Sequence, residues 1–353
     1  MQRHRFRLLL LATLLAGAAF GADRFNLSST HDVGERYMDM RLLGTVEIPD
    51  DPVNSIRVDE MSGLAWDEDE GLLYALSNRG KLFHLKPEFD GNGRLVDVEV
   101  LAAFRLRTRY GRKLKKPYRD TEGLSLFKAA NGKRGDSELL ISFEREPKIA
   151  RFDNHGYEIK ALPLPPPLDD ADRYDTTNHG LESVTVHPRH GIITAPEVPL
   201  RGSDGITLYS LDGKQWRIPA FPVADNAIVG METMPDGDLL LLERAFSSML
   251  SPIVVSLHRV RLDDTCRSDD GRKPAQSCAS RPVAIMSSAK GWDLDNFEGL
   301  ARHRGNRYFM VSDNNRFWLQ RTLLSYFEVL PPETATAEGR DTGKKAENGI
   351  GKP

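Results

Sequence analysis

The sequence predicts an all-β protein, a single β-propeller with five four-stranded blades. This prediction depends on a five-fold internal repeat, on short apolar runs typical of strands, and on the turn residues between them. Successive repeats begin 60, 60, 50 and 66 residues apart, which is close to the length of one propeller blade. Their first positions are Ser62, Glu122, Glu182, Glu232 and Glu298.

Each repeat contains the strands of one blade. It opens with a short strand, turns at Gly, Asp or Asn, and continues into an apolar run typical of a strand buried on both faces. In the first repeat these two strands are residues 62–66 and 72–78, and two more follow at 82–85 and 96–106. A four-stranded antiparallel meander of this kind is a propeller blade.

The fifth repeat is one strand short. After residues 308–313 it contains only the apolar run at 322–330, and a suitable strand lies at residues 42–48, just before the first repeat. If this N-terminal strand completes the last blade, the ring closes without an open sheet edge. Six blades are an alternative if a degenerate repeat is hidden in residues 84–119 or 245–290.

The chain is divided by composition into four parts. A basic start, an apolar run at residues 8–20 and small residues at 19 and 21 predict a signal peptide at residues 1–22. A lead segment (23–39), the propeller (40–330) and a disordered tail (331–353) follow. No later run approaches about 20 apolar residues, so we expect no transmembrane segment after signal cleavage and a periplasmic or secreted protein.

Composition and missing motifs exclude several functions. The 48 Lys and Arg against 51 Asp and Glu give a formal net charge of −3, so we expect no nucleic-acid partner. The chain has no nucleotide-binding glycine motif and no serine-hydrolase or HExxH motif, and we expect no organic cofactor. Cys266 and Cys278 are expected to form a disulfide in an oxidising compartment, with two free thiols as the alternative.

The repeats also predict an acidic mouth at one end of the central channel. The first position of each repeat begins a strand and the second ends its antiparallel partner, so a hairpin brings both to the same end of the blade. The second positions are Asn78, Glu144, Glu197, Glu243 and Asp313. Eight of these ten positions are carboxylates, and inner propeller strands surround the channel.

Eight carboxylates in one place require a neutralising charge, because they would otherwise raise one another's pKa values. A ring of oxygen ligands from several blades suits calcium better than the tighter octahedron of magnesium. The predicted metal ligands are Glu122, Glu144, Glu182, Glu197, Glu232, Glu243, Glu298 and Asp313. The alternatives are neutralisation by Arg79, Arg145 and Arg244, or glutamates that only bond the backbone of the neighbouring blade.

A basic segment precedes the second repeat. Eight of the fifteen residues from Arg105 to Arg119 are Lys or Arg, and we expect this loop to overhang the acidic mouth. Cations beside metal-binding acids suit a phosphorylated substrate, although a solvated surface loop is the alternative. The predicted phosphate ligands are Arg145, Arg244, Lys115 and Lys116, and His179 is the candidate for proton transfer.

Several stretches resemble a known family. They are MSGLAW at residues 61–66, RDTEGL at 119–124, NHGLES at 178–183, NFEGLA at 296–301, YFMVSDNN at 308–315 and QRTLL at 320–324. These are similar to the phytase-like family, also described as having esterase-like activity of phytase, whose members are exported bacterial β-propeller proteins. The resemblance covers roughly residues 40–330 and implies a propeller fold and an exported hydrolase of phosphoesters or esters.

Together these observations predict a calcium-dependent hydrolase that acts on a small-molecule phosphate ester at the channel mouth. Two alternatives use the same acidic ring. One is a calcium-dependent hydrolase of carboxylic esters or lactones, for which the basic segment would be incidental. The other is a non-catalytic, calcium-stabilised binding propeller of the cell envelope.

Overall fold

Strand pairing follows the repeats of the sequence in the computed structural model of this protein. The structure describes residues 22–176, 178–203, 205–219, 221–223, 225–246, 251–268 and 276–333. Within these ranges, helix is limited to three short 3-10 turns, at Ala171–Arg173, Asp264–Cys266 and Ser288–Lys290. None of the helices in this part of the chain is long and apolar enough to cross a bilayer.

The strands fall into one N-terminal group and five blades. The N-terminal strands are β1 (Asp23–Arg24), β2 (Arg36–Tyr37) and β3 (Met40–Glu47). Blade 1 consists of β4 (Met61–Asp67), β5 (Leu72–Ser77), β6 (Lys81–Phe89) and β7 (Leu95–Arg105). Blade 2 consists of β8 (Thr121–Phe127), β9 (Glu138–Phe143), β10 (Lys148–Asp153) and β11 (Glu158–Leu162). Blade 3 consists of β12 (Leu181–His187), β13 (Gly191–Pro196), β14 (Ile206–Ser210) and β15 (Gln215–Ile218).

The remaining strands complete the ring. Blade 4 consists of β16 (Asn226–Thr233), β17 (Leu239–Ala245), β18 (Val254–Arg261) and β20 (Ala279–Ser287), and the short β19 (Arg267–Ser268) pairs with β15 of blade 3. Blade 5 consists of β21 (Asn296–Arg302), β22 (Arg307–Asp313), β23 (Leu323–Val329) and, as its fourth strand, β3. All these pairs are antiparallel, as the alternating turns of the repeats predict.

The N-terminal strand closes the ring. β3 pairs with β23 and places Val46 opposite Leu324, so no edge of blade 5 is left open at the joint. This pairing confirms the prediction of five blades with closure by the N-terminal strand. The alternative of six blades is wrong, because residues 81–105 and 254–287 form the outer strands of blades 1 and 4 and not a further repeat.

The innermost strands approach one another closely at a bulge that occurs in every blade. In β4, β8, β12, β16 and β21 the pairing register shifts by an inserted residue, and a small residue follows the shift. These small residues are Gly63, Gly123, Ser183, Gly230 and Gly299. A Cβ atom on Gly63 would lie 2.4 Å from the backbone oxygen of Glu122, so a larger side chain cannot be accommodated there. The space they surround is only about 10 Å³, and the channel is closed at this level.

Apolar side chains fill the spaces between neighbouring blades. Tyr74, Phe143 and Phe152 pack between blades 1 and 2, and each is almost fully buried. Cys266 and Cys278 form a disulfide that packs in the same cluster as Trp216 of blade 3. The disulfide therefore joins Cys266, which directly precedes β19 at the outer edge of blade 3, to Cys278, which directly precedes β20.

The ends of the chain lie partly outside the described residues. This applies to the predicted signal peptide at residues 1–22, apart from Ala22, and to the predicted tail at 331–353 beyond residue 333. In the predicted lead segment, 23–39, β1 and β2 both pair with β3 and extend the sheet of blade 5. The domain boundaries themselves stay a prediction.

Candidate functional site

Six of the eight predicted metal-binding carboxylates meet at one mouth of the channel. Three lie at the bulges of inner strands, and three directly follow the second strand of a blade or end it. This acidic mouth consists of Glu122, Glu182, Glu298, Glu144, Glu197 and Asp313. A bulge places its extra residue out of the strand's ladder, which is why one glutamate per blade can leave the sheet and approach its neighbours. Carboxylate oxygens of Glu144, Glu182 and Glu197 all lie within 4.8 Å of one another.

The structure corrects the position of Glu232. The bulge of blade 4 falls at Val229, and Glu232 lies three residues further along β16, opposite Leu240 and toward the other end of the channel. There its carboxylate accepts hydrogen bonds from the backbone amides of Thr233 at 2.8 Å and Arg302 at 3.2 Å. The comparison of the repeats placed Glu232 in the same position as the other glutamates. The equivalent position is Val229, because the closely packed Gly230 directly follows it at the bulge. The placement of Glu232 at the acidic mouth is therefore wrong.

Glu243 is also displaced, by one residue. In blades 2, 3 and 5, one residue of the second strand pairs with the last position before the bulge, and the acid at the second position of the repeat directly follows that residue. In blade 4, Glu243 itself pairs with that position, Ile228, and the equivalent of the acids is Arg244. Because side chains alternate along a strand, Glu243 faces away from the mouth and accepts a hydrogen bond from Asn226. Burial raises the pKa of Glu243 to about 7.

Arg244 takes the place of an acid in the ring. Its guanidinium lies 3.5 Å from Oε1 of Glu197 and 3.6 Å from Oε1 of Glu298, and it donates a hydrogen bond to the side chain of Asn296. The side chain is only 20% exposed. Blade 4 therefore contributes a positive charge to the mouth. Arg244, which the sequence predicts as a phosphate ligand, is paired here with two carboxylates.

Two acidic residues of the mouth were missed by the sequence reasoning. Glu60 and Asp120 each lie two residues before the first position of a repeat, and this shared spacing is the signal that could have identified them. Glu60 is 3% exposed, adopts a positive φ of 54°, and pairs with Arg79 at 2.7 Å. Because Glu60 supplies an acid from blade 1, the neutral residues Ser62 and Asn78 do not leave that blade without a charge at the mouth.

Burial dominates the electrostatics of the acidic mouth. It raises the pKa of Glu144 to about 8, with further contributions from Asp120 and Glu197, and raises the pKa of Asp313 to about 8, with a contribution from Glu298. Burial and then the neighbouring glutamates raise the pKa values of Glu122 and Glu182 well above the ordinary range. The mouth therefore favours either bound protons or a bound cation.

A hard divalent cation fits this set of donors. Two groups of three carboxylates have oxygens within 4.8 Å of one another, Asp120 with Glu122 and Glu144, and Glu144 with Glu182 and Glu197. All donors are oxygens, which calcium and magnesium prefer, and the second group gathers ligands from blades 2 and 3. Arg145 is hydrogen-bonded directly to Asp120, whereas Arg244 lies at a longer 3.5 Å from Glu197 of the second group. The group of Glu144, Glu182 and Glu197 is therefore taken as the candidate metal centre.

The backbone of blade 3 fixes Glu144 within this centre. The amide of Glu197 donates to the carbonyl of Gly180 at 3.0 Å. A Cβ atom on Gly180 would lie 1.9 Å from the backbone oxygen of Glu144, so only glycine allows the two chain segments to approach this closely. This contact brings Glu144 of blade 2 and Glu197 of blade 3 to the same place.

A cavity of about 220 Å³ lies beside the acids and is lined in part by basic side chains. Glu122 and Glu144 line it together with the basic residues Arg79, Lys116, Arg119 and Arg145. Arg145 is bound to the carboxylate of Asp120, and Lys116 is exposed. Lys115 is exposed as well but does not line the cavity. Only the end of the basic segment, at Lys116 and Arg119, therefore reaches the acidic mouth, and its first part lies elsewhere.

His179 lies next to the candidate metal centre. Its Nε2 is 3.9 Å from Oε2 of Glu197 and its Nδ1 is 3.5 Å from Oδ2 of Asp175. The ring is one third exposed, so a ligand at the mouth can reach it.

Comparison with known proteins identifies the family. No curated protein sequence matches the chain. A PQQ-bound aldose sugar dehydrogenase from Streptomyces coelicolor is 13% identical, with a TM-score of 0.41 over 82% of this chain and 98% of that one. A gluconolactonase from Xanthomonas campestris is 13% identical, with a TM-score of 0.36 over 86% and 99%. These distant likenesses carry no conclusion about substrate or cofactor. The family model described as phytase-like, esterase-like activity of phytase, matches residues 56–316, and the chain therefore belongs to the phytase-like family.

Proposed function

We propose that this protein is an exported hydrolase that uses calcium to cleave phosphate esters at the acidic mouth. The observation that carries the proposal is the clustering of Glu144, Glu182 and Glu197, whose oxygens lie within 4.8 Å of one another beside a cavity lined by basic residues. Membership of the phytase-like family supports the ester-hydrolysing class of reaction. The family alone does not specify the ion or the substrate.

Different residues of the mouth would bind the ion and the substrate. Glu144, Glu182 and Glu197 would hold the ion, which when bound polarises a phosphoryl oxygen and lowers the pKa of water. Lys116 and Arg119, which line the same cavity as Glu144, would contact the negative oxygens of the substrate. Arg145, held by Asp120, would limit where the phosphate can lie.

His179 would move a proton during bond cleavage. A phosphate ester needs a proton on its leaving oxygen unless the leaving group is already a stable anion. His179 lies at the edge of the mouth between Asp175 and Glu197, and its ring is one third exposed. Substitution by Gln should therefore lower kcat more than it changes KM, and less for aryl than for alkyl phosphates.

A second candidate function is hydrolysis of uncharged carboxylic esters or lactones at the same centre. It is favoured by one observation, namely that Arg145 and Arg244 are already paired with carboxylates and are not free to bind phosphate. In this case the ion would polarise a carbonyl oxygen, and the basic residues would only balance the charge of the acids.

One assay separates these functions. The purified protein is given an aryl phosphate or an aryl acetate, with calcium and with EDTA. Calcium-dependent release from the phosphate supports the first proposal, and release from the acetate alone supports the second. No turnover, together with a lower Tm in EDTA, would overturn both and leave a calcium-stabilised binding propeller.

We also propose that the protein acts in the periplasm or outside the cell. The residues at 1–22 have the pattern of a signal peptide, and the disulfide between Cys266 and Cys278 suits an oxidising compartment. Amino-terminal sequencing of protein recovered from the periplasm and the medium tests this. A mature protein that begins at residue 22 or 23 is expected, whereas intact protein confined to the cytoplasm would contradict it.

A further inference from the structure

A basic cleft lies between the outer parts of blades 1 and 2, and none of its lining residues also lines the cavity at the acidic mouth. Its volume is about 580 Å³. It is enclosed by the loop at residues 54–56, the end of β7 and the turn between β10 and β11. Its basic and aromatic lining residues are Phe104, Arg105, Arg107, Lys113, His155 and Tyr157.

The cations of this cleft are held on an ordered hairpin. The amide of Arg107 donates to the carbonyl of Gly156 at 2.8 Å, and the amide of Glu158 donates back to the carbonyl of Arg107 at 2.9 Å. Leu106, 1% exposed, packs in the core between blades 1 and 2. The hairpin therefore docks on blade 2 through both backbone and side chain. Binding by preorganised side chains costs less conformational entropy than binding by a mobile loop.

The charge of the cleft is unbalanced. No residue that lines it is acidic. Within the described part of the chain, no carboxylate lies within ion-pair distance of Arg105, Arg107 or Lys113. Arg107 is positioned by a 2.9 Å hydrogen bond to the carbonyl of Gly111 and by the ring of Tyr157, whose centroid is 5.8 Å away. Three positive charges that line one space without a carboxylate partner attract an anion.

The opposite wall of the cleft contains two strained polar residues. Asn54 and Ser55 have positive φ values of 51° and 60°, a conformation that is costly for residues other than glycine. The side chain of Asn54 donates to the carbonyl of Ala103 at 3.5 Å, which ties this loop to β7. Asn54 and Ser55 therefore add two small polar side chains to the lining of the cleft.

We propose that this cleft is a metal-independent binding site for a small phosphate-type polyanion. Arginine forks match the paired oxygens of phosphate, and Lys113 adds a flexible point charge on the other side of the hairpin. The volume exceeds that of one phosphate group, so the site accommodates a diphosphate or a phosphorylated small molecule. The proposal does not depend on any reaction at the acidic mouth.

Calorimetric titration with sodium pyrophosphate in EDTA tests the proposal. The proteins compared are the wild type, Arg105→Gln/Lys113→Gln, the mouth variant Glu144→Gln, and Lys160→Gln as a control that removes an exposed lysine from β11. We expect the double variant to bind at least about tenfold more weakly, which corresponds to about 1.4 kcal/mol. The wild type, Glu144→Gln and Lys160→Gln should bind alike, and more weakly as salt increases.

Two results would overturn the site in the cleft. One is equal binding by the wild type and the double variant, with or without a loss in Glu144→Gln, which would place the anion elsewhere. The other is no binding by the wild type. If the double variant has a lower Tm, the exposed Lys113→Gln alone replaces it, and a Kd unchanged from that of the wild type would count against the proposal.

Discussion

At the scale of single residues, Arg244 determines how the charge of the acidic mouth is distributed. It lies 3.5 Å from Glu197 of blade 3 and 3.6 Å from Glu298 of blade 5 and so offsets part of their charge. Burial and the neighbouring glutamates raise the pKa values of Glu122 and Glu182 well above the ordinary range. The protein thus combines both neutralisers considered from the sequence, an internal arginine and a place for a cation. Neither Glu232 nor Glu243 is needed for this arrangement.

Removing the positive charge of Arg244 should destabilise the metal-free protein. Arg244→Met leaves two carboxylates without their partner, and we expect a loss of about 2 kcal/mol in the free energy of unfolding. Calcium should raise the Tm of this variant more than that of the wild type, because an added cation replaces the lost charge. Urea unfolding in EDTA and in calcium measures both, with Lys160→Met as the control. Equal stability of Arg244→Met and the wild type in EDTA would contradict this role.

The metal-free protein should lose stability as the pH rises. The pKa of Glu144 is raised from 4.5 in the unfolded chain to about 8 in the folded one. The folded state therefore binds the proton more tightly, and this contribution is present below about pH 4.5 and lost by about pH 8. We expect unfolding in EDTA to become easier across this window, and Glu144→Gln to reduce the dependence.

Chemical denaturation at several pH values in EDTA measures this effect. Glu99→Gln, which changes an exposed acid on β7, is the control. The difference in unfolding free energy between wild type and Glu144→Gln should shrink or change sign as the pH rises through the window. A difference that stays constant with pH would contradict a raised pKa at Glu144.

At the scale of the elements, the inner strands both close the channel and position the acids. The bulge places one residue per blade at the mouth, and the small residue after it lets neighbouring strands approach. Repetition of glutamate and glycine was visible in the sequence, which is why four of the five blades were aligned correctly. Blade 4 was misaligned because its bulge residue is Val229, while Glu232 offered a match in residue type.

Two features depend on three-dimensional contacts that the spacing of residues in the sequence does not reveal. Arg105, Arg107 and Lys113 of the basic segment line a separate cleft, because Leu106 packs in the core between blades 1 and 2 and fixes the hairpin there. Strand alternation predicts that Glu243 and Arg244 face opposite ways, but only the register of β16 decides which of them faces the mouth.

Adding a methyl group at Gly180 should disturb the candidate metal centre without changing any of its acids. A Cβ atom there would lie 1.9 Å from the carbonyl oxygen of Glu144, so the backbone of Glu144 must move. We expect Gly180→Ala to lose about 2 kcal/mol of unfolding free energy and to bind calcium more weakly. Gly91→Ala, with nothing within 4 Å of the new Cβ atom, is the control for urea unfolding and calcium titration. Calcium affinity equal to that of the wild type would contradict the proposed position of the centre.

At the scale of the whole molecule, ring closure brings distant segments of the chain together at the mouth. β3 and β23 join the two ends of the propeller, and Asn78 of blade 1 donates to Asp313 of blade 5 at 3.0 Å. The repeats and the missing fifth-blade strand were sufficient to predict this closure from the sequence. The identity of the ion and of the substrate depends on local chemistry that the fold does not specify.

Removing the closing strand should abolish the native ring. A protein that begins at residue 49 lacks β3 and leaves β23 as an open apolar edge, which favours aggregation. We expect aggregates or an unfolded chain in size-exclusion chromatography, compared with the protein that begins at residue 23. A monomer that unfolds cooperatively and still binds calcium would contradict the importance of this closure.

In the proposed function, the carboxylates around Glu144 bind the cation that supports hydrolysis. The most direct test is aryl phosphate turnover against calcium concentration for wild type, Glu144→Gln and Glu243→Gln, where Glu243 is a buried acid that faces away from the mouth. We expect turnover by the wild type that EDTA abolishes, a loss of about a hundredfold or more in Glu144→Gln, and little change in Glu243→Gln. Full calcium-dependent turnover by Glu144→Gln would contradict it.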